Sequence, residues 1–211
     1  MKKFALAGLA ILTAVNITGC AAMMESGVHD MRGSITGCTY NCDFYSNDGE
    51  LFMTAKGEQI DLTRNTVKEP TYIDGRWGYT KTLSSVMTIT IDGHQMESCG
   101  STAIFAEDGL TPDADFPKIN SIDSSSDGTL TDNTMVAGLV NNYKNAFGKP
   151  QVVVIQSQLG DPICAYSGEK VYWKVCENLP NTTKLMIDGK ALYIHRANFQ
   201  IIDKALLETA K

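Results

Sequence analysis

The side chains of this sequence that could do chemistry are its three histidines and six cysteines. Closest to a catalytic pairing is HQMESCGS, His94 to Ser101, where an imidazole precedes Cys99 and Ser101. A histidine beside a thiol or hydroxyl can take its proton and make it a nucleophile, provided a third group orients the ring. No third group is identifiable in so short a stretch. The chain also has no Gly-x-Ser-x-Gly, no HExxH and no phosphate-cradling glycine loop. The leading reading is therefore not an enzyme, and the alternative is a hydrolase or thiol enzyme centred on His94 to Ser101. Cys38-Thr39-Tyr40-Asn41-Cys42 raises a zinc or redox reading, but redox pairs want two intervening residues and zinc wants close pairs with two further ligands. With three residues between the cysteines and no adjacent histidine, a local disulfide is the better expectation. Neither a metal nor a cofactor is expected.

Asp123-Ser124-Ser125-Ser126-Asp127-Gly128-Thr129-Leu130 resembles the first eight positions of an EF-hand calcium loop, with oxygen donors at positions 1, 3 and 5, glycine at 6 and an apolar residue at 8. The resemblance ends at position 12, where Thr134 replaces the bidentate acid. Losing that ligand removes a main source of affinity, so Asp123 to Asp132 reads as a solvated Asp/Ser loop.

The start of the chain says where such chemistry would take place. Lys2 and Lys3 precede FALAGLAILTAV, an uncharged run from Phe4 to Val15 that is shorter than the roughly 20 apolar residues needed to span a bilayer. It reads as an export signal. The charged start, the apolar core and the junction Ile17-Thr18-Gly19-Cys20, in that order, resemble the lipobox of bacterial lipoproteins. The resemblance covers only the first twenty or so residues. It implies a diacylglycerol thioether on Cys20, cleavage before it, and acylation of the new amino group. Each buried methylene contributes about 0.8 kcal/mol, so two or three chains make a durable membrane tether. Ala21 stands where inner-membrane members of enteric bacteria often carry aspartate, which implies the outer membrane. The expected location is the cell envelope, with the lipid as anchor.

In that oxidising setting Cys38, Cys42, Cys99, Cys164 and Cys176 are disulfide candidates. Their number is odd, so two bridges and one leftover thiol are expected. Cys164 and Cys176 bracket CAYSGEKVYWKVC, which reads as a hairpin, and are the favoured pair, although a turn at Gly168-Glu169 does not set them opposite one another.

Removing residues 1–19 takes Lys2 and Lys3 away, leaving 16 of the 18 basic residues against 24 acidic ones, a net charge of about −8. An acidic chain without basic clusters has no electrostatic footprint for nucleic acid and no attraction to anionic lipid beyond its acyl chains. The remaining partner class is protein. Tyr72, Arg76, Trp77 and Tyr79 in EPTYIDGRWGY combine aromatics and arginine in a glycine-punctuated loop, the mix that anchors interfaces. The alternative is that Trp77 and Tyr79 pack under that loop.

The elements that must position these residues follow from periodicity. Residues 20–37 read as a spacer, and residues 38–211 as one α+β domain or two lobes joined by residues 106–132. Its first half is antiparallel and β-rich. Asp92-Gly93 predicts a type I′ hairpin with Ile91 facing His94, Ile89 facing Met96 and Met87 facing Ser98, and Asp188-Gly189 predicts a second. The second half reads helix, strands, helix: Met135, Val136, Leu139, Val140, Tyr143 and Phe147 keep helical spacing between Asp132 and Gly148, QVVVIQS is a buried strand, and a last helix starts near Asn198 with Phe199, Ile202 and Leu206 inward. TIDGH and MIDGK echo one another only in letters the turn demands, so no repeat is read. The function expected from all this is a non-enzymatic binding or assembly module tethered to the outer membrane.

Overall fold

A computed structural model of the chain describes residues 23–24, 31–116 and 147–209. Among them the chain runs as β1 (Met23–Met24), β2 (Met31–Ile35), β3 (Tyr40–Tyr45), β4 (Leu51–Gly57), β5 (Ile60–Arg64), β6 (Thr66–Ile73), β7 (Arg76–Leu83), β8 (Met87–Ile91), β9 (His94–Ser98), β10 (Thr102–Glu107) and β11 (Ala114–Asp115). It continues as β12 (Gln151–Gln156), β13 (Pro162–Gly168), β14 (Val171–Val175), β15 (Thr182–Ile187), β16 (Lys190–His195), β17 (Asn198–Asp203) and the short helix α1 (Lys204–Thr209). The architecture is therefore nearly all β, not α+β. The expected last helix is overturned: Asn198–Asp203 pairs with β12, and only the six residues after it are helical. Phe199 and Ile201 point to one side of β17 and Ile202 to the other, each meeting a different core. Six residues with apolar groups on both faces suit a buried strand as well as a helix. The expected helix after Asp132 lies outside the described residues, apart from Phe147, which is buried and not helical. The expected spacer is also corrected, because Met31–Ile35 is a strand on β5 with Ile35 fully buried.

The described residues divide into two units. The smaller holds the β6–β7 hairpin with β1 lying parallel along β7, Met23 opposite Tyr79.

The larger unit has three stacked sheets. A six-stranded sheet, β14-β15-β16-β10-β3-β4, is packed on both faces, by β2-β5-β8-β9 on one side and by β11-β13-β12-β17 on the other. Burial on two faces explains the strand β10: Ala103 and Phe105 enter one core, Ile104 and Ala106 the other, and all four are buried. Both Asp-Gly turns form, with Asp92 and Gly93 at φ 47° and 85° and Asp188 and Gly189 at 50° and 87°. The register of β8 on β9 is the one that the first turn demands.

The larger unit is built twice from one plan. Strands β3, β4 and β5 match β12, β13 and β14 residue for residue at one constant spacing, so that Ser46 falls on Ser157, Gly49 on Gly160 and Gly57 on Gly168. Strands β8, β9 and β10 match β15, β16 and β17 at a second, shorter spacing that places Asp92-Gly93 on Asp188-Gly189. Hydrogen bonds repeat with the residues. The Ser46 N–H donates to the Glu50 carbonyl at 2.9 Å and the Ser157 N–H to that of Asp161 at 2.7 Å. The Ser46 and Ser157 hydroxyls accept from the N–H groups of Glu50 and Asp161. The Asp92 carboxylate accepts from the N–H of Gln59 and that of Asp188 from the N–H of Lys170, both at 2.9 Å. Even the bulge recurs, after Phe44 and after Ile155. The reading of no repeat is corrected: the shared letters are few, but they occupy the same turns of two copies. The copies join where β10 of the first pairs antiparallel with β16 of the second.

Candidate functional site

The smaller unit carries a cluster of exposed aromatic residues. Asp74 and Gly75, at φ 51° and 76°, make a third turn of the same kind, so EPTYIDGRWGY is a hairpin and not a loop. Along its strands Tyr72, Trp77 and Tyr79 are 60%, 68% and 45% exposed, and Ile73 is exposed beside them. The Tyr72 and Trp77 rings lie 5.2 Å apart, tilted by 55°. Below them the hydroxyls of Thr71 and Thr80 are hydrogen-bonded at 3.0 Å across the strands. A groove of about 360 Å³ runs past Thr71, Ile73, Arg76, Trp77 and Tyr79. Trp77 thus does not pack beneath the hairpin. The arm carries apolar area, a guanidinium and backbone turns, which suit contact with a protein surface.

The expected nucleophile region is not assembled. His94 opens β9 and Cys99 follows its far end, so at about 3.4 Å per residue the strand holds them roughly 17 Å apart. The Ser101 hydroxyl is hydrogen-bonded to Ser98. His94 and Cys99 are both exposed.

The cysteines are corrected too, for all five described thiols are free. Cys164 and Cys176 do not bracket a hairpin, because the chain passes from one sheet to another at Gly168. They belong to different cores on opposite faces of the central sheet. Cys42 faces the first core, whereas Cys38, four residues earlier, is exposed. Burial, with the charges of Asp43 and Asp92, pushes the Cys42 thiol up to about 12, and burial also raises Cys164 and Cys176. Since the thiolate is the reactive form, iodoacetamide is expected to modify Cys38 and Cys99 in the native protein while sparing Cys42 and Cys164. In denaturant without reductant all five become reactive. Peptide mass spectrometry reads both states, and a Cys164–Cys176 peptide pair in unreduced protein would overturn the placement.

Asp43 is a half-buried carboxyl that the sequence did not suggest, and it feels the charge of Asp115. Burial and the Asp115 charge raise the Asp43 carboxyl above its usual range, and burial raises the phenols of Tyr45 and Tyr166 beside them. Strands β3 and β11 are remote in the sequence and lie in different sheets, so no local motif could have announced them. Among the described residues no group of three acidic, histidine or cysteine side chains could hold a metal ion. Cys20 and the Asp123 to Asp132 loop lie outside the described residues.

No curated protein and no solved structure matches the chain. A family model does match, the domain of unknown function DUF5052, over residues 2–207. With nearly its whole length inside that match, the chain belongs to the DUF5052 family.

Proposed function

We propose that this protein is a lipid-anchored component of the bacterial cell envelope that holds another envelope protein through its β6–β7 arm and transforms no substrate. The observation that carries the reading is the arm itself, where Tyr72, Ile73, Trp77 and Tyr79 stay in solvent beside Arg76 on one hairpin, whereas the exposed apolar residues of the larger unit, among them Phe52, Leu159 and Trp173, are spread over separate elements. Clustered exposed aromatics mark interaction sites. The membrane end of the reading rests on the lipobox resemblance at Cys20.

Cross-linking in intact envelopes, followed by capture of the tagged protein, tests the partner. Tyr72→Ala with Trp77→Ala is expected to reduce recovery of the major cross-linked protein at least tenfold, because truncating a central anchor costs about 2 kcal/mol or more and each 1.4 kcal/mol is tenfold. The far-ultraviolet circular dichroism should not change. Recovery equal to wild type would remove the arm from the reading. Fatty-acid labelling of wild type but not of Cys20→Ser tests the anchor separately.

A further inference from the structure

The junction between the two copies leaves two further edges of the same kind without a neighbour among the described residues. Inside the chain, β10 of the first copy pairs with β16 of the second. The counterpart of β16 in the first copy is β9, and the counterpart of β10 in the second is β17. Among the described residues β9 and β17 are each the outermost strand of a four-stranded sheet. An unpaired strand edge is a row of donors and acceptors that templates the addition of another strand. We propose that β17 of one molecule pairs antiparallel with β9 of the next, repeating between chains the β10–β16 junction and linking copies head to tail.

Two observations favour a second copy over any other occupant. The first is side-chain matching. Transferring the internal register sets Gln200 opposite Ser98, where the junction has Ile104 opposite Ile194, and sets Ile202 opposite Met96, where it has Ala106 opposite Leu192. In these two pairs, which share the face toward the groove, polar meets polar and apolar meets apolar, while on the other face Ile201 falls opposite Glu97. Asp203 stands where Glu107 accepts the Ala191 N–H at 2.8 Å across the junction.

The second is a groove. In the second copy Ile104 and Ala106 fill the space beside Cys164, Tyr166, Ile187 and Leu192. The equivalent positions of the first copy, Met53, Ala55, Ile91 and Met96, line an open groove of about 470 Å³ and are only partly buried. A β17 seated on β9 would present Gln200, and the side of Ile202 that its own core leaves uncovered, to that groove, as β10 directs Ile104 and Ala106 at the internal junction. The contact uses different surfaces on the two molecules, so it is heterologous and gives a ring or an open chain rather than a two-fold dimer. It does not depend on the anchor or on the arm.

Disulfide trapping in purified full-length protein tests the register. In a background with Cys20, Cys38 and Cys99 replaced by serine, two single variants are made, Ser98→Cys and Gln200→Cys. Under mild oxidation each alone is expected to stay uncross-linked, their mixture to give a dimer whose linked peptides contain residues 98 and 200, and the double variant to give a ladder of higher oligomers. No cross-linking in the mixture, under conditions where both thiols react with maleimide, overturns the proposal and leaves these edges to some other occupant. Efficient cross-linking of Ser98→Cys to itself would also overturn it, because that contact is two-fold.

Discussion

Phe105→Ala is expected to destabilise the larger unit by about 3–5 kcal/mol, the usual range for emptying a buried aromatic site. Phe105 is fully buried, and its ring meets that of Phe44 edge-on with centroids 6.1 Å apart. Its neighbours come from β3 on one side and β16 on the other, both held by backbone pairing and unable to collapse into the hole. Ile104→Ala, one residue earlier and facing the opposite core, should cost about 2–5 kcal/mol. Denaturant titration checks both. Each variant is expected to unfold in a single transition at a lower midpoint with an unchanged slope, because the central sheet is a wall of both cores. A Phe105→Ala midpoint within error of wild type would show that β10 does not join the copies as described.

The second large effect is a loss of stability in mild acid, governed by His195. Its side chain is 2% exposed, its Nδ1–H donates to the Pro180 carbonyl at 2.9 Å, and the Thr182 hydroxyl sits 3.1 Å from the same nitrogen. Burial, reinforced by the positive charges of Arg196 and Arg64, lowers its pKa from 6.5 to about 4 against the opposing pull of that carbonyl. The folded state therefore binds the proton less readily than the unfolded chain. The stability this provides is complete above pH 6.5 and is lost as the pH falls toward 4. It amounts to roughly 3 kcal/mol at pH 7. A melting series from pH 7 to pH 4 should show the decline, and His195→Gln, which keeps a donor without a titrating ring, should flatten it across that window. An equally steep decline in the variant would assign the acid sensitivity to other groups.

His195 also shows what the sequence leaves unread. It closes a strand whose residues Ala191 to His195 are all buried, and a run without alternation gives no sign of which core each side chain enters. The hairpin turns were legible because Asp-Gly states its backbone requirement locally, and a two-residue turn then sets the register of β8 on β9. The same dipeptide at Asp74-Gly75 gives a weaker signal, because its flanks are aromatics and charges instead of a half-apolar alternation. The cysteines misled for a related reason. Spacing along the chain says nothing about which face of a sheet a residue takes, and Cys164 and Cys176 end on opposite faces. Of the candidate site, the identities Arg76, Trp77 and Tyr79 could be read from composition, whereas their projection into solvent from paired strands could not.

The two copies also differ in a way that bears on descent. Residues 65–86, which contain the arm, bridge β5 and β8, while the equivalent β14 and β15 are bridged by residues 176–181 alone. The second copy is thus a record, kept within the same chain, of how the plan closes without an arm. An appendage grafted at a loop can lengthen, change its aromatic residues or be lost without reopening a core, so the duplicated body does not depend on what the arm carries.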